Sequence, residues 1–279
     1  MVETFIPAGL GWQRDLPDPR DCVPDRPEVT KLLRDLRPGG NTFPQVDWRE
    51  FTGPAKDQGT LDASCAFAAL GLFCDLERRA HGRVSEPSHL FVHQTARRLA
   101  VETDGCVGLR ATWKALARFG FPPERCWPYD EDRVTLDPDA FAHGFADEFH
   151  QARYVRLDGG DTSATLHATK SFLAAGFPSA FGFSVFASLT QDPDVSLPTK
   201  NDGLRGGQAV VAVGYDDKRR IGSDRGALLI RSSWGQGWGD AGHGWLPYGY
   251  VLNGLAADFW TLIRKDWVAS GEFTRPSGT

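Results

Sequence analysis

The stretch Gln58-Gly59-Thr60-Leu61-Asp62-Ala63-Ser64-Cys65-Ala66-Phe67, QGTLDASCAF, decides how the chain is read. It leads into a run, SCAFAALGLFCDLERRA, that is apolar on nearly every face at first and then turns charged, with Gly82 as a C-terminal stop. That pattern describes a helix buried at the centre of a domain. A cysteine in its first turn would stand where the helix dipole favours an anion. The place of Cys65 relative to its neighbours therefore matters.

Working outward, the residues up to 47 are rich in proline (PAGL, LPDPRD, VPDRP) and read as a wrapping arm with one short helical piece near Pro27–Leu36. Residues 48–150 read as a mainly helical half, with further helices over 86–99 and 108–119, the latter closed by Gly120. From 151 to 279 the texture changes to short β-branched or aromatic runs, FGFSVF, AVVAVGY, GALLIRSSW and FWTLI, separated by Gly, Asp and Pro. DDKRRIGSDRG joins two of them as a hairpin-like connection. Helices first and strands second make an α+β arrangement with a cleft expected between the halves. ASLTQDPDVSLPTKNDGLR (187–205) reads as a long irregular loop at the cleft edge.

Composition bounds the function. The chain has 279 residues, 41% of them hydrophobic, with 18 Phe and 9 Trp, enough for a substantial core. A net charge of −5 without a basic run makes nucleic acid an unfavoured partner. The opening MVETFIPAGLGW lacks the basic-then-apolar pattern of a secretory signal, and no apolar run is long enough to span a bilayer. Five scattered cysteines without metal-ligand spacing fit reduced thiols, so a cytoplasmic protein with no metal and no cofactor is expected.

Asp47-Trp48-Arg49, Lys56-Asp57-Gln58-Gly59 and Ala66-Phe67 resemble the segment around the nucleophile of papain-like cysteine peptidases. Glu86–Phe91 and Trp127-Pro128-Tyr129 resemble the next landmarks of the bacterial branch. GGQAVVAVGYDD (206–217) is similar to the segment carrying the catalytic histidine, and IRSSWGQGWGDAGHGWLPYGYV (230–251) to that carrying the orienting asparagine. The resemblance runs from about Leu16 to about Arg264 and implies a bacterial source and a papain-like two-part fold, with a helical half facing an antiparallel β-barrel-like half.

Laid on this chain without a gap, the family pattern puts Ser64 at the nucleophile and Cys65 one place late. Gln208 falls at the histidine and Ser232 at the asparagine. Gln58 resembles the side-chain donor of the oxyanion hole, and Trp234 the tryptophan that shields the triad from water. An amide cannot act as the base that a serine hydroxyl needs, and Ser232 is too short to orient a ring. Losing one central member of such a triad already lowers the rate by a factor on the order of 10⁴–10⁶.

Each site residue has a second, plainer reading. Ser64 is either an N-cap or a nucleophile, the cap being favoured. Cys65 is either a small buried hydrophobe or a displaced thiolate. Gln58 is a loop tie or a cleft-facing donor, and Asp62 a helix cap or a charge biasing the cleft against anions. His243 falls at a structural tyrosine. The first functional reading is a pseudopeptidase holding a peptide or acyl-peptide ligand against Gln58, Asp62, Ser64, Cys65, Gln208, Ser232 and Trp234. The second is a biosynthetic enzyme for acyl transfer, cyclisation or rearrangement that uses Gln58, Ser64, Gln208 or Cys65. The third is a residual hydrolase with Ser64 and an unrecognised base.

Overall fold

The structure is a computed structural model describing residues 4–33, 43–82, 84–100, 106–146 and 152–274. The elements run α1 (Pro27–Leu33), β1 (Gln45–Asp47), α2 (Ser64–His81), α3 (His89–Ala100), α4 (Leu109–Phe119) and α5 (Ala140–Gly144). They continue with β2 (Arg153–Arg156), α6 (Thr162–Ala174), β3 (Ser179–Phe186), β4 (Leu204–Ile221), β5 (Asp224–Arg231), β6 (His243–Pro247), α7 (Tyr248–Leu252), β7 (Ala256–Ile263) and α8 (Lys265–Ala269). Of the short helical piece expected near 27–36, residues 34–36 lie outside the described residues.

One antiparallel sheet has the order β2-β7-β3-β4-β5-β6, with β1 paired to β4. Helices and an antiparallel sheet thus form the α+β, papain-like fold. The connection read as hairpin-like is a true hairpin, and its strands run through DDKRRI and DRG until only Gly222 and Ser223 remain between β4 and β5. Gly222 supplies the positive φ of 58° that such a turn needs.

Helix α2 runs through the core. Cys65, Ala66, Ala69, Leu70, Leu72 and Leu76 are buried, and the helix packs on β4. Gly82, at φ 75°, closes it by donating its N–H to the Arg78 carbonyl at 2.8 Å. Two buried charges tie its middle to β5: Asp75 accepts from Arg231 Nη1 at 2.8 Å, and the second pair of atoms lies at 2.8 Å as well. Burial raises the pKa of Asp75, and Arg231 opposes that rise.

The arm runs between the turn that leads into α2 and the sheet. Phe5 N–H donates to Leu189 O in the 187–205 loop, and Trp12 N–H donates to Gly207 O in β4, both at 2.9 Å. Farther along, Asp15 accepts from Arg110 N–H at 2.9 Å, and Asp21 pairs with Arg110 and Arg156. The arm therefore fills the groove whose walls are the α2 entrance on one side and β3, β4 and β7 on the other.

Candidate functional site

The turn before α2 sets the geometry. Its backbone is pinned by Gln58 N–H to Ser233 O at 2.9 Å, by Tyr129 Oη to Gln58 O at 2.8 Å, and by Gly59 N–H to Asp57 Oδ1 at 2.9 Å. From this base the Gln58 side chain reaches inward and is fully buried. Its Nε2 donates to Leu10 O at 2.8 Å and to Leu61 O at 2.7 Å, while its Oε1 accepts from Ser233 Oγ at 2.6 Å and Gln208 Nε2 at 3.0 Å.

Ser64 N–H, one of the donors left open at a helix N-terminus, also reaches Leu10 O, at 3.3 Å. Two donors thus converge on one carbonyl oxygen of the arm, the arrangement that stabilises charge on an acyl oxygen where chemistry follows. Here the oxygen is the main-chain carbonyl of Leu10 in the arm.

Ser64 is not the N-cap expected from its type. The cap is Ala63, which makes no side-chain bond, and Ser64 is the first helical residue. Its hydroxyl crosses to the sheet and accepts Ala209 N–H at 3.1 Å. Tertiary pairing with β4 has outcompeted local capping. Asp62 does not cap either: its Oδ1 accepts Leu10 N–H at 2.9 Å.

Gln208 lies in the middle of β4, opposite Phe183, and is fully buried. Its Nε2 lies 3.1 Å from Ser233 Oγ and 3.5 Å from Ser232 Oγ, and its Oε1 has no hydrogen-bond partner among the described residues. Trp234 packs edge-on against Trp238 and meets the arm's Phe5 with ring centroids 5.4 Å apart. The structure therefore brings Gln58, Asp62, Ser64, Gln208, Ser232 and Trp234 to one place.

Cys65 is turned away from that place. It is fully buried, with its Sγ 3.1 Å from Val107 O and 3.8 Å from Gly11 O. Burial, reinforced by the carboxylates of Asp15 and Asp258, holds its thiol well above the ordinary value. His89 and His93 are also buried and pushed down to about 3 and about 4, chiefly by desolvation, so both are neutral near pH 7.

The residues missed in sequence are those of the arm. Leu10 and Trp12 occupy the groove, and Asp258 receives Trp12 Nε1–H at 3.1 Å and Asp15 N–H at 2.8 Å. Asp258 sits at φ 58° where the β3–β7 register slips, an irregularity that turns its side chain towards the arm. A cavity of about 200 Å³ adjoins the site through Ala209, Ser232 and Ser233 and extends to Phe67, Asp75 and Arg231, and no described arm residue lines it. Among the described residues no cluster of His, Cys, Asp and Glu could hold a metal, and no helix is long and apolar enough to cross a membrane.

This architecture defines a class, and residues 43–255 match it by sequence: the chain belongs to the papain family of cysteine proteases. It is 31% identical over 287 residues to an uncharacterised peptidase C1-like protein, L477, of Acanthamoeba polyphaga mimivirus, covering 94% of this chain and 89% of that one. To the cathepsin B-like CP1 of Giardia intestinalis it is 28% identical over 212 residues, covering 72% of this chain and 66% of that one. Among solved structures, xylellain, a cysteine protease from Xylella fastidiosa, superposes with a TM-score of 0.72 at 30% identity, over 92% of this chain and 96% of that one.

Proposed function

We propose that the chain is a papain-fold pseudopeptidase that holds a peptide segment in its groove without cutting it. The observation that carries this reading is the Leu10 carbonyl of the arm, bound by Gln58 Nε2 and Ser64 N–H beside a serine hydroxyl that has no base next to it. The surrounding chemistry supports it. Among the described residues the Ser64 hydroxyl is bonded to Ala209 N–H alone, and the groups beyond it, Gln208, Ser232 and Ser233, are an amide and two hydroxyls. None of these accepts a proton near neutral pH, so the hydroxyl has no base to activate it.

The alternative, a biosynthetic enzyme working through Gln58, Ser64, Gln208 or Cys65, has less support. Its best nucleophile, Cys65, faces Val107 O in the core, and its best donor, Gln58, is already saturated.

The test is an assay of the full chain with fluorogenic dipeptide amides under reducing conditions, beside a Ser64→Ala variant and a mock purification. Release no faster than the mock is expected. Turnover that Ser64→Ala abolishes would overturn the proposal.

A further inference from the structure

The fit of the arm in the groove is governed by glycine. Gly9 and Gly11 are buried on either side of Leu10. A Cβ on Gly9 would lie 2.5 Å from Leu61 O, and one on Gly11 would lie 2.0 Å from Asp62 O. Gly11 also has φ 109°, a conformation that side chains with a Cβ rarely adopt. Both collisions are with backbone, in the pinned turn before α2, so no rotamer change relieves them.

The facing wall is shaped the same way. A Cβ on Gly206 would lie 2.7 Å from Leu10 Cδ1, and one on Gly182 would lie 2.0 Å from the Trp12 ring. A Cβ on Gly207 would meet Trp12 at 2.5 Å. Strands β3 and β4 thus leave a slot for a large ring, and Asp258 offers a carboxylate to its N–H. Between the two glycines, Leu10 is held by its own amide: N–H to Asp62 Oδ1, and O from Gln58 and Ser64.

We infer that the peptides this groove accepts from a partner carry the pattern glycine, bulky apolar residue, glycine, tryptophan. The inference rests on the reading of the groove as a non-cleaving peptide site and adds the sequence class it selects. Each position has its own cause: no room for a Cβ at the first and third, a glycine-floored contact at the second, and a slot with an acceptor at the fourth. Asp62 contributes directly, because it accepts the amide N–H of the apolar residue between the glycines.

The experiment uses the full-length Gly11→Ala protein, in which the added methyl should lift the arm. Limited proteolysis should cut the arm of this variant faster than that of the parent. A fluorescein-labelled peptide of residues 4–15, TFIPAGLGWQRD, is then titrated by anisotropy, beside peptides with alanine at either glycine and a scrambled control. Binding of the unaltered peptide at least about tenfold tighter than each alanine peptide is the expected result. Equal binding of the alanine peptides, or an arm that Gly11→Ala leaves as protected as before, overturns the glycine rule and leaves the peptide-site reading standing. An exposed arm with no peptide bound overturns both. Should Gly11→Ala not fold, Trp12→Ala, which empties the Gly182–Gly207 slot, serves as the host with the same readouts.

Discussion

The side-chain amide of Gln58 lies 2.8 Å from the carbonyl oxygen of Leu10, a residue 48 positions earlier in the chain. The same glutamine also supports Leu61, Gln208 and Ser233. One buried side chain therefore joins the arm, the helix entrance and the sheet.

Gln58→Ala removes that junction. Two backbone carbonyls lose a donor, and Gln208 and Ser233 lose an acceptor in a buried setting, where each stranded group costs about 1–3 kcal/mol. Partial relaxation leaves an expected loss of roughly 2–4 kcal/mol. Urea unfolding followed by tryptophan fluorescence should show a lower midpoint, and the arm should become open to limited proteolysis.

Cys65 should be inert while the protein is folded. Its burial and raised pKa leave almost no thiolate near pH 8. Iodoacetamide labelling at that pH, read by peptide mass spectrometry, should modify Cys65 only after denaturant is added. Rapid labelling of the native protein at Cys65 would contradict the position described for it.

The Asp75–Arg231 pair should be costly to break from one side. Asp75→Ala leaves the guanidinium buried beside an emptied position, and such half-deletions cost about 3–5 kcal/mol. A denaturation midpoint within error of the parent would show that the cavity beside the pair solvates Arg231 instead.

Asp258 gives stability a dependence on pH. Burial, with Asp15 and Asp158 adding repulsion and Arg156 opposing, pushes its carboxyl from 3.8 up to about 7. The folded protein thus holds a proton that the unfolded chain releases above about 3.8, so stability falls as pH rises through that interval and levels off beyond about 7. The slope from this group is at most about 1.4 kcal/mol per pH unit. Asp258→Asn, which keeps a residue tolerant of the left-handed backbone, should flatten it. Chemical denaturation of both proteins from pH 4 to pH 8 gives the difference directly.

The frame was legible in the sequence because its signals are local. The apolar run from Ser64 and the strand runs separated by Gly and Asp carry their own periodicity. Even α6, which the strand-rich texture of the second half hid, announces its start with Asp161, whose side chain accepts Ala164 N–H at 2.7 Å. The site was legible as a set of positions and not as a set of bonds. Ser64 has the residue type of a cap, yet Ala209 N–H, 145 positions away, takes its hydroxyl. Asp62 has the charge of a cap, yet it holds Leu10. Gly9 and Gly11 look like ordinary loop residues until Leu61 and Asp62 are set against them.

The covalent connection between the arm and its groove has a thermodynamic consequence. A segment tethered to its own binding site visits it at an effective concentration on the order of millimolar. A free peptide meets that competition before it meets the groove, and its apparent affinity is the intrinsic affinity multiplied by the fraction of molecules whose arm is out. On the proposed reading of the groove as a peptide site, the intact protein works as a threshold device: silent towards weak or dilute peptides, and responsive once a peptide is concentrated or multivalent enough to displace the tethered arm.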